Sequence, residues 1–262
     1  MATSRTPDPA ARGHHPDIAR AAALIADPSR ARILKSLGDG RSLSAKVLAA
    51  EAGVGAPTAS VHLAKLVEAG LITAESVGRS RYYRLAGPEV SLALEALAMI
   101  APPVPITSLR ESSTANALRR SRTCYDHLAG RLGVAVMGGL LQHGILAGHD
   151  GRHRGEDAVR DQPLGYGRDH EYRLTEAGRE ALDRFGVDLA ALPERRQLVR
   201  YCVDWSEQQH HLAGGIGAAL MARLFELGWL RYGVSPRVVH LNTAGATGVG
   251  GWLGLRLDDL VA

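Results

Sequence analysis

The chain has 262 residues, of which 45% are hydrophobic and 22% are charged, and its formal net charge is +4. This length suits two domains of roughly 100–200 residues each, and no apolar run reaches the roughly 18–20 residues that a membrane-spanning helix needs. Residues 1–17 lack the apolar core of an export signal and predict a disordered tail, so we expect a cytoplasmic protein without a membrane partner.

The basic charge is concentrated in the N-terminal third of the chain. Residues 1–86 contain 12 Lys and Arg against 7 Asp and Glu, whereas residues 123–262 contain 15 against 17. A basic domain joined to a mildly acidic one is typical of a nucleic-acid reader with an attached module. Ordinary variation in surface charge would give similar numbers, so charge alone does not distinguish a nucleic-acid-binding domain from such variation.

Residues 18–69 predict four helices, of which the last two form a helix-turn-helix. Asp27-Pro28 divides the apolar pattern of residues 18–37, because Asp caps a helix and Pro begins one. A short helix is predicted over 44–52, a glycine turn over 53–55, and a second helix over 57–69.

The helix predicted over 57–69 has one apolar face. Helical spacing places three residues toward the core: Ala59, Leu63 and Leu66. The open side then presents Thr58, Val61, His62 and Lys65, with Ser60 nearer its edge. These exposed positions are the candidates for contact with a DNA groove.

A basic hairpin is predicted directly after this helix. The segment LITAESVGRSRYYRL alternates around Gly78, and its tip carries Arg79 and Arg81. A basic β-ribbon beside an exposed helix is the arrangement of a winged helix domain.

Three segments, ADPSRARILKSL, SVHLAKLVEAGLI and GRSRYYRL, give residues 18–100 a resemblance to the ArsR/SmtB family of winged helix-turn-helix regulators. The resemblance implies a homodimer on a palindromic operator in double-stranded DNA, with residues 88–99 as the dimerisation helix. An α-helix fits the major groove, so we expect base or phosphate contacts from four residues and duplex positioning by two arginines. They are Thr58, Ser60, His62 and Lys65, with Arg79 and Arg81.

The chain departs from the family in two respects. Val61 stands where the family often has a polar or basic residue. The family's usual metal ligands are also absent, since residues 45–53 have no Cys-x-Cys pair and residues 88–99 have neither His nor Asp. Any effector site must therefore lie elsewhere.

The C-terminal half contains an apparent internal duplication beyond the proline-rich boundary at 101–105. The segment His-Leu-Ala-Gly begins at His127 and again at His211, an offset of 211 − 127 = 84. We predict a C-terminal domain over 106–262 with repeats at about 122–192 and 200–260, each a helix, a hairpin-like strand pair and a closing helix. In the first repeat, the polar connection that includes residues 148–170 predicts a mobile loop. Four histidines flank this loop or lie in it, and we expect them at solvated surface: His143, His149, His153 and His170.

Both cysteines of the chain occupy matching places in the two repeats. Cys124 and Cys202 are each followed two residues later by Asp and then by a His before Leu-Ala-Gly. If the repeats meet, Cys124, His127, Cys202 and His211 would supply the ligands of a thiophilic metal ion such as zinc. His210 or an aspartate is a reserve ligand. A thiol redox pair, inert packing of buried cysteine and a pocket for an organic ligand are the alternatives.

The two aspartates of these segments predict helix caps. Asp204 precedes Glu207 by three residues, which is the spacing of a capping box, and Asp126 is the equivalent residue of the first repeat. In a helix Cys124 and His127 would share a face, whereas Asp126 would point away from them.

The sequence therefore predicts a mainly α protein with small β-hairpins: a winged helix domain followed by a domain of two repeats. Its predicted function is DNA-binding transcriptional regulation, as a repressor whose C-terminal domain senses a metal or metalloid, a thiol oxidant or a small ligand. We predict that it is not an enzyme, because no nucleophile elbow, phosphate loop or zinc-protease motif occurs. A cysteine-dependent enzyme for a thiol-reactive or organometallic substrate and an effector-free architectural DNA binder are the alternatives.

Overall fold

The computed structural model describes residues 16–102, 105, 108–153 and 172–261. Its N-terminal part consists of α1 (Ile18–Ile25), α2 (Pro28–Ser36), β1 (Leu43–Ser44), α3 (Ala45–Ala52), α4 (Ala56–Glu68), β2 (Ile72–Val77), β3 (Ser80–Leu85) and α5 (Pro88–Ile100). The strands form an antiparallel sheet in the order β1-β3-β2. The predicted winged helix-turn-helix is confirmed.

Local sequence signals set the ends of these helices. The Asp27 side chain accepts hydrogen bonds from the backbone N–H groups of Ser29 and Arg30, and Pro28 begins α2. Gly53 ends α3 in the left-handed conformation, with φ of 68°. The apolar face of α4 is buried at Ala59, Leu63 and Leu66, as its spacing predicted.

The C-terminal part begins with α6 (Leu109–Arg120). It continues with β4 (Arg122–Cys124), β5 (His127–Ala129), α7 (Gly130–Gln142), β6 (Leu146–Gly148), β7 (Tyr172–Leu174), α8 (Glu176–Arg184), β8 (Arg200–Val203), β9 (His210–Ala213), α9 (Gly214–Glu226), β10 (Leu230–Tyr232), β11 (Val239–Leu241) and α10 (Thr243–Leu253). The order hairpin, helix, hairpin, helix thus occurs twice. Each hairpin is an antiparallel pair.

The expectation that each half opens with a helix is wrong. Residues 122–129 and 200–213 are β-hairpins, and helices α7 and α9 begin only after them. Tyr125 in the first hairpin and Gln208 in the second have φ of 55° and 53°, and a right-handed helix cannot continue through such residues.

The glycine of each His-Leu-Ala-Gly segment forms the turn from strand to helix. Gly130 and Gly214 have φ of 73° and 81°, which favour glycine. A Cβ atom at Gly130 would lie 2.7 Å from the carbonyl oxygen of Arg119, and one at Gly214 would lie 2.9 Å from that of Gln197. The backbone therefore excludes a larger residue at both positions.

The two halves pack on each other around one hydrophobic core. This core contains buried residues of both long helices, including Leu132, Met137 and Leu140 of α7 and Ile216, Leu220 and Leu224 of α9. Helix α7 also contacts β9, α9 contacts β5, and the strands β5 and β9 contact each other. The first hairpin of each half is therefore covered by the helix of the other half.

The domain boundaries at residues 100 and 106 and the origin of the two halves by duplication stay predictions. The predicted mobile loop lies mostly at 154–171, outside the described residues. Across the described ranges, every helix is too short or too polar to span a lipid bilayer.

Candidate metal centre and nucleic-acid interface

Two β-hairpins bring the four predicted ligand residues together. Cys124 pairs with His127 across the β4–β5 hairpin, and Cys202 pairs with His211 across β8–β9. One ligand atom from each of the four, sulfur or imidazole nitrogen, can be chosen so that all lie within 4.8 Å of one another. Convergence of the cysteine and histidine therefore arises from cross-strand pairing and not from helical spacing.

The centre is almost completely buried. Cys124, His127 and His211 are each at most 3% exposed, and Cys202 is partly buried. The Cys202 sulfur lies 3.6 Å from His127 Nε2, and the two imidazole rings are 5.2 Å apart. Polar side chains in such a place need a partner, because burying an unpaired polar group costs free energy.

A carboxylate lies beside the outer nitrogen of each imidazole. Asp126 Oδ1 is 3.4 Å from His127 Nδ1, and Asp204 Oδ2 is 3.3 Å from His211 Nδ1. Within the described part of the chain, both ring nitrogens of His211 are buried and neither makes a hydrogen bond of good geometry, so Nδ1 contacts Asp204 by charge and proximity only. A carboxylate on one ring nitrogen commonly orients the other nitrogen toward a metal ion.

The prediction that these aspartates cap helices is wrong. Asp204 accepts from the N–H groups of Ser206 and Glu207, but residues 205–207 form a turn and not a helix. Asp126 contacts His127 and pairs with Arg196 at 2.6 Å, so it does not point away from the centre. Both carboxylates instead lie beside the histidines of the centre.

Asp204 also holds the two halves together. Its carboxylate accepts hydrogen bonds from Arg122 Nη2 at 2.9 Å and from the Gly130 N–H at 2.6 Å. The side chains of Asp204 and Arg122 are both fully buried. The Arg122 guanidinium lies 4.5 Å from the centroid of the Trp205 ring. No local sequence pattern pointed to Arg122, because its side-chain partners Asp204 and Ser206 are about eighty residues away.

The surroundings favour protons on the centre when no metal is bound. A hydrogen bond with Cys202 and burial raise the pKa of the Cys124 thiol to about 12. Burial alone would lower the pKa of His211, but Asp204 and Cys124 raise it to about 9. The pKa of Asp204 lies well below its usual range, because His211 and Arg122 outweigh the effect of burial. A metal ion would replace the protons of the thiol and the imidazolium.

Helix α4 and the β2–β3 hairpin form the candidate nucleic-acid interface. Thr58, Ser60 and Lys65 are exposed on α4, and Arg79 and Arg81 are exposed at the wing tip. The Val61 side chain, also on this face, is 55% exposed. Five of the six predicted DNA contacts thus lie on open surface.

His62 differs from the other predicted DNA contacts. Its side chain is only 14% exposed, and Nδ1 lies 3.9 Å from Asp27 Oδ1 at the start of α2. The buried nitrogen faces the protein interior, so only the opposite edge of the ring is available to a duplex. We retain His62 as a predicted contact through that edge alone.

Other histidines form a separate group at the end of β6, where the sequence predicted a solvated surface. His149 is only 16% exposed in its side chain, and its ring lies 5.2 Å from that of buried His210. His143 is exposed and His153 is partly buried, while His170 lies outside the described residues. The solvated-surface expectation is therefore wrong for His149.

Comparisons with known proteins identify a helix-turn-helix domain and a relative that matches most of the chain. A family model described as a helix-turn-helix domain matches residues 25–75. The chain is 38% identical over 232 residues to an uncharacterized HTH-type transcriptional regulator of Bacillus subtilis, which covers 88% of this chain and 94% of that protein.

Two further similarities cover about a third of this chain each. A probable mercury resistance operon repressor of Streptomyces lividans is 36% identical over 78 residues, covering 29% of this chain and 62% of that protein. A homodimeric winged helix-turn-helix DNA-binding domain from Mycobacterium bovis, described as a possible ArsR-family regulator, is 30% identical. The match covers 32% of this chain and 76% of that one, with a TM-score of 0.30. The similarity over nearly the full length of the Bacillus protein shows that the chain belongs to the HTH-type transcriptional regulators, of the ArsR/SmtB type that residues 18–100 resemble.

Proposed function

We propose that this regulator is a dimeric repressor whose C-terminal half binds a thiophilic metal ion as its effector. The observation that carries the proposal is the buried cluster of Cys124, His127, Cys202 and His211, with ligand atoms within 4.8 Å of one another. Two thiolates and two imidazoles are a standard tetrahedral donor set for zinc, and cuprous ion accepts the same donors.

One pair of donor atoms already has the spacing that zinc requires. Zinc–sulfur bonds of about 2.3 Å and zinc–nitrogen bonds of about 2.0–2.1 Å place neighbouring tetrahedral ligands roughly 3.3–3.8 Å apart. The Cys202 sulfur and His127 Nε2 are 3.6 Å apart, within that range. The carboxylates of Asp126 and Asp204 would hold the imidazoles in the orientation that the ion needs.

Repression of an operator is the second part of the proposal. The exposed groups of α4 would read a duplex through Thr58, Ser60 and Lys65, and the wing arginines would position it. Leu97 and Ile100 of α5 are 42% and 79% exposed, which supports pairing with a second copy through this helix. The Streptomyces lividans relative is named as a probable repressor of a mercury resistance operon. A regulator of this kind acts at the chromosome, which places it in the cytoplasm.

The proposal assigns no catalytic role to the cysteines. Hydrogen bonding and burial raise the pKa of the Cys124 thiol to about 12, and a protonated thiol is a poor nucleophile. The closeness of the Cys124 and Cys202 side chains supports a second candidate, in which a peroxide oxidises the pair to a disulfide. In that case two thiols would be lost per chain on oxidation, with no metal bound.

The test combines elemental analysis with operator binding. Protein incubated with Zn²⁺ and dialysed is expected to retain one zinc per chain, and zinc is expected to change its affinity for a duplex that the wild type selects from a random library. The Cys124→Ser, Cys202→Ser variant should retain no zinc and show no response. His143→Asn, which alters an exposed histidine outside the centre, serves as the control and should behave as wild type. Equal zinc retention by the double serine variant would overturn the proposal, and a wild-type response to peroxide alone would support the disulfide instead.

A further inference from the structure

The hairpin that carries Cys124 and His127 is bonded directly to the DNA-binding domain. The Tyr125 N–H, next to Cys124 in the chain, donates to the carbonyl oxygen of Gly38 at 2.8 Å, just beyond the end of α2. The hydroxyl of Ser91 on α5 donates to the same carbonyl at 3.4 Å. One backbone oxygen of the N-terminal domain therefore contacts both the metal-site hairpin and the predicted dimerisation helix.

Arg237, in the turn between β10 and β11, makes a second connection. Its Nε–H donates to the carbonyl oxygen of Thr123 at 3.0 Å, and the Thr123 N–H donates back to the Arg237 carbonyl at 2.8 Å. Its Nη2 donates to Glu95 Oε1 on α5. Thr123 immediately precedes Cys124, so one guanidinium joins the backbone beside a metal ligand to α5.

This connection is buried and charged. The side chains of Arg237 and Glu95 are 7% and 13% exposed. Burial alone would raise the pKa of Glu95, but the neighbouring Arg237 holds it below its usual value, so the carboxyl group is ionised at neutral pH. Removing one partner of such a pair leaves an uncompensated buried charge, so the two elements that carry it keep a fixed mutual position.

Metal binding would move the hairpin relative to this pair. Ligand atoms that are up to 4.8 Å apart would have to approach to roughly 3.3–3.8 Å around a tetrahedral zinc ion. Closure of the ligand set around the ion would draw the two hairpins together, and the Thr123 carbonyl, next to Cys124, would shift with its hairpin. The hydrogen bond to Arg237 would pass that displacement to Glu95 and α5.

We propose that Arg237 is a positioning residue that couples occupancy of the Cys–His centre to the placement of α5, and through α5 to the grip of α4 on DNA. The proposal rests on the metal-responsive function above. Two sites become coupled when the ligand of one favours a different arrangement of the element that serves the other. The Arg237 bridge, made of Thr123, Arg237 and Glu95, is the element that both sites share.

The test uses a substitution that preserves charge. Arg237→Lys keeps a cation beside Glu95 but removes the Nε–H donor to Thr123. Arg41→Lys is the matched control, because Arg41 also crosses the junction, 3.7 Å over the Tyr232 ring, and its ion pair is with Asp39, which does not belong to the Arg237–Glu95 connection. Glu95→Gln keeps the shape of the side chain but leaves Arg237 without its charge partner, and it provides a second variant. Tryptophan fluorescence of each variant checks that it is folded.

Two quantities are measured for each protein. Zinc affinity is obtained without DNA by competition with a chromophoric chelator, and operator affinity is measured with chelator and with saturating zinc. We expect zinc to change the operator affinity of wild type and Arg41→Lys by at least about 10-fold, in the usual range of coupling between sites. Arg237→Lys and Glu95→Gln should bind zinc within about threefold of wild type, yet show an operator response below about threefold.

The outcomes separate the two proposals. Failure of wild type to bind zinc in the DNA-free titration overturns the metal-responsive function, and the bridge with it. Zinc binding with a normal operator response in Arg237→Lys and Glu95→Gln overturns only the role of the bridge. Loss of the operator response to zinc in Arg41→Lys as well would also overturn the role of the Arg237 bridge. Any substitution that loosens the junction between the two domains would then have the same effect.

Discussion

Removing either carboxylate beside the ligating histidines should weaken zinc binding, but only one of the two removals should also destabilise the fold. Asp126→Asn and Asp204→Asn each replace a carboxylate next to an imidazole Nδ1 by an amide of the same shape. Losing such a partner typically weakens metal binding by about 10–100-fold. We expect both variants to show this loss of zinc affinity.

Their effects on folding should not be alike. Arg122 and Asp204 are both fully buried, so Asp204→Asn leaves a buried guanidinium without its charge partner and should cost about 3–5 kcal/mol of stability. Asp126 pairs with Arg196, and these side chains are 29% and 36% exposed. A pair of that exposure is worth about 0–1 kcal/mol, so Asp126→Asn should leave the free energy of unfolding nearly unchanged.

Urea unfolding of zinc-free protein measures the difference. All three tryptophans, Trp205, Trp229 and Trp252, lie in the C-terminal half, so their fluorescence reports that half alone. Free energies of unfolding follow by linear extrapolation to zero urea, and chelator competition gives the zinc affinity of the same samples. Equal stability of the two variants would refute the buried role of Asp204. Unchanged zinc affinity in both would refute the orientation of the histidines by carboxylates.

Three further predictions concern the wing, the helix packing and pH. Alanine at either wing arginine should weaken operator binding and lower the slope of log affinity against log salt concentration by about 1, as filter binding at several salt concentrations would show. The variants are Arg79→Ala and Arg81→Ala. Gly133→Ala should lower the midpoint temperature of thermal unfolding, because the added Cβ would lie 2.5 Å from the Leu128 carbonyl oxygen. Gly138→Ala on the same helix places its Cβ where no atom lies within 4 Å, and it should raise that midpoint slightly, because alanine favours the helix. Zinc affinity should fall by at least about a hundredfold for each unit of pH lowered between about pH 8 and 6, because zinc must displace protons from at least Cys124 and His211, whose pKa values are raised to about 12 and about 9. Calorimetry in buffers of different ionisation enthalpy should count at least about two protons released.

Sequence patterns were sufficient for the N-terminal domain because its determinants are local. Asp27-Pro28 and Gly53 set helix ends, and the spacing of Ala59, Leu63 and Leu66 defined the buried face of α4. The wing followed from alternation over six-residue strands. Each of these signals operates within one element, where propensity, capping and periodicity agree.

The C-terminal half was predicted less well because its hairpins are short. Strands of three or four residues, such as Arg122–Cys124, carry too few positions for an alternating pattern, and the left-handed backbone of Tyr125 is not typical of tyrosine. The four centre residues were nevertheless identified, since the matched placement of two cysteines and two histidines does not depend on secondary structure. Their mutual geometry required the fold.

Long-range ion pairs were missed entirely. Arg122 meets Asp204 across 82 residues and Arg237 meets Glu95 across 142, and no periodicity relates such positions. The signal that would have found them is compositional only: charged residues within otherwise apolar segments, such as Asp204 in YCVDW. Buried pairs of this kind are chosen by the tertiary fold and cannot be derived from the local sequence.

X-ray absorption at the zinc edge of the purified, zinc-loaded protein tests most directly whether the two halves hold one ion between them. The account predicts a four-coordinate ion with two sulfur neighbours at about 2.3 Å and two imidazole nitrogens at about 2.0–2.1 Å. A coordination shell of nitrogen and oxygen alone, or one that keeps both sulfurs in the Cys124→Ser variant, would contradict it.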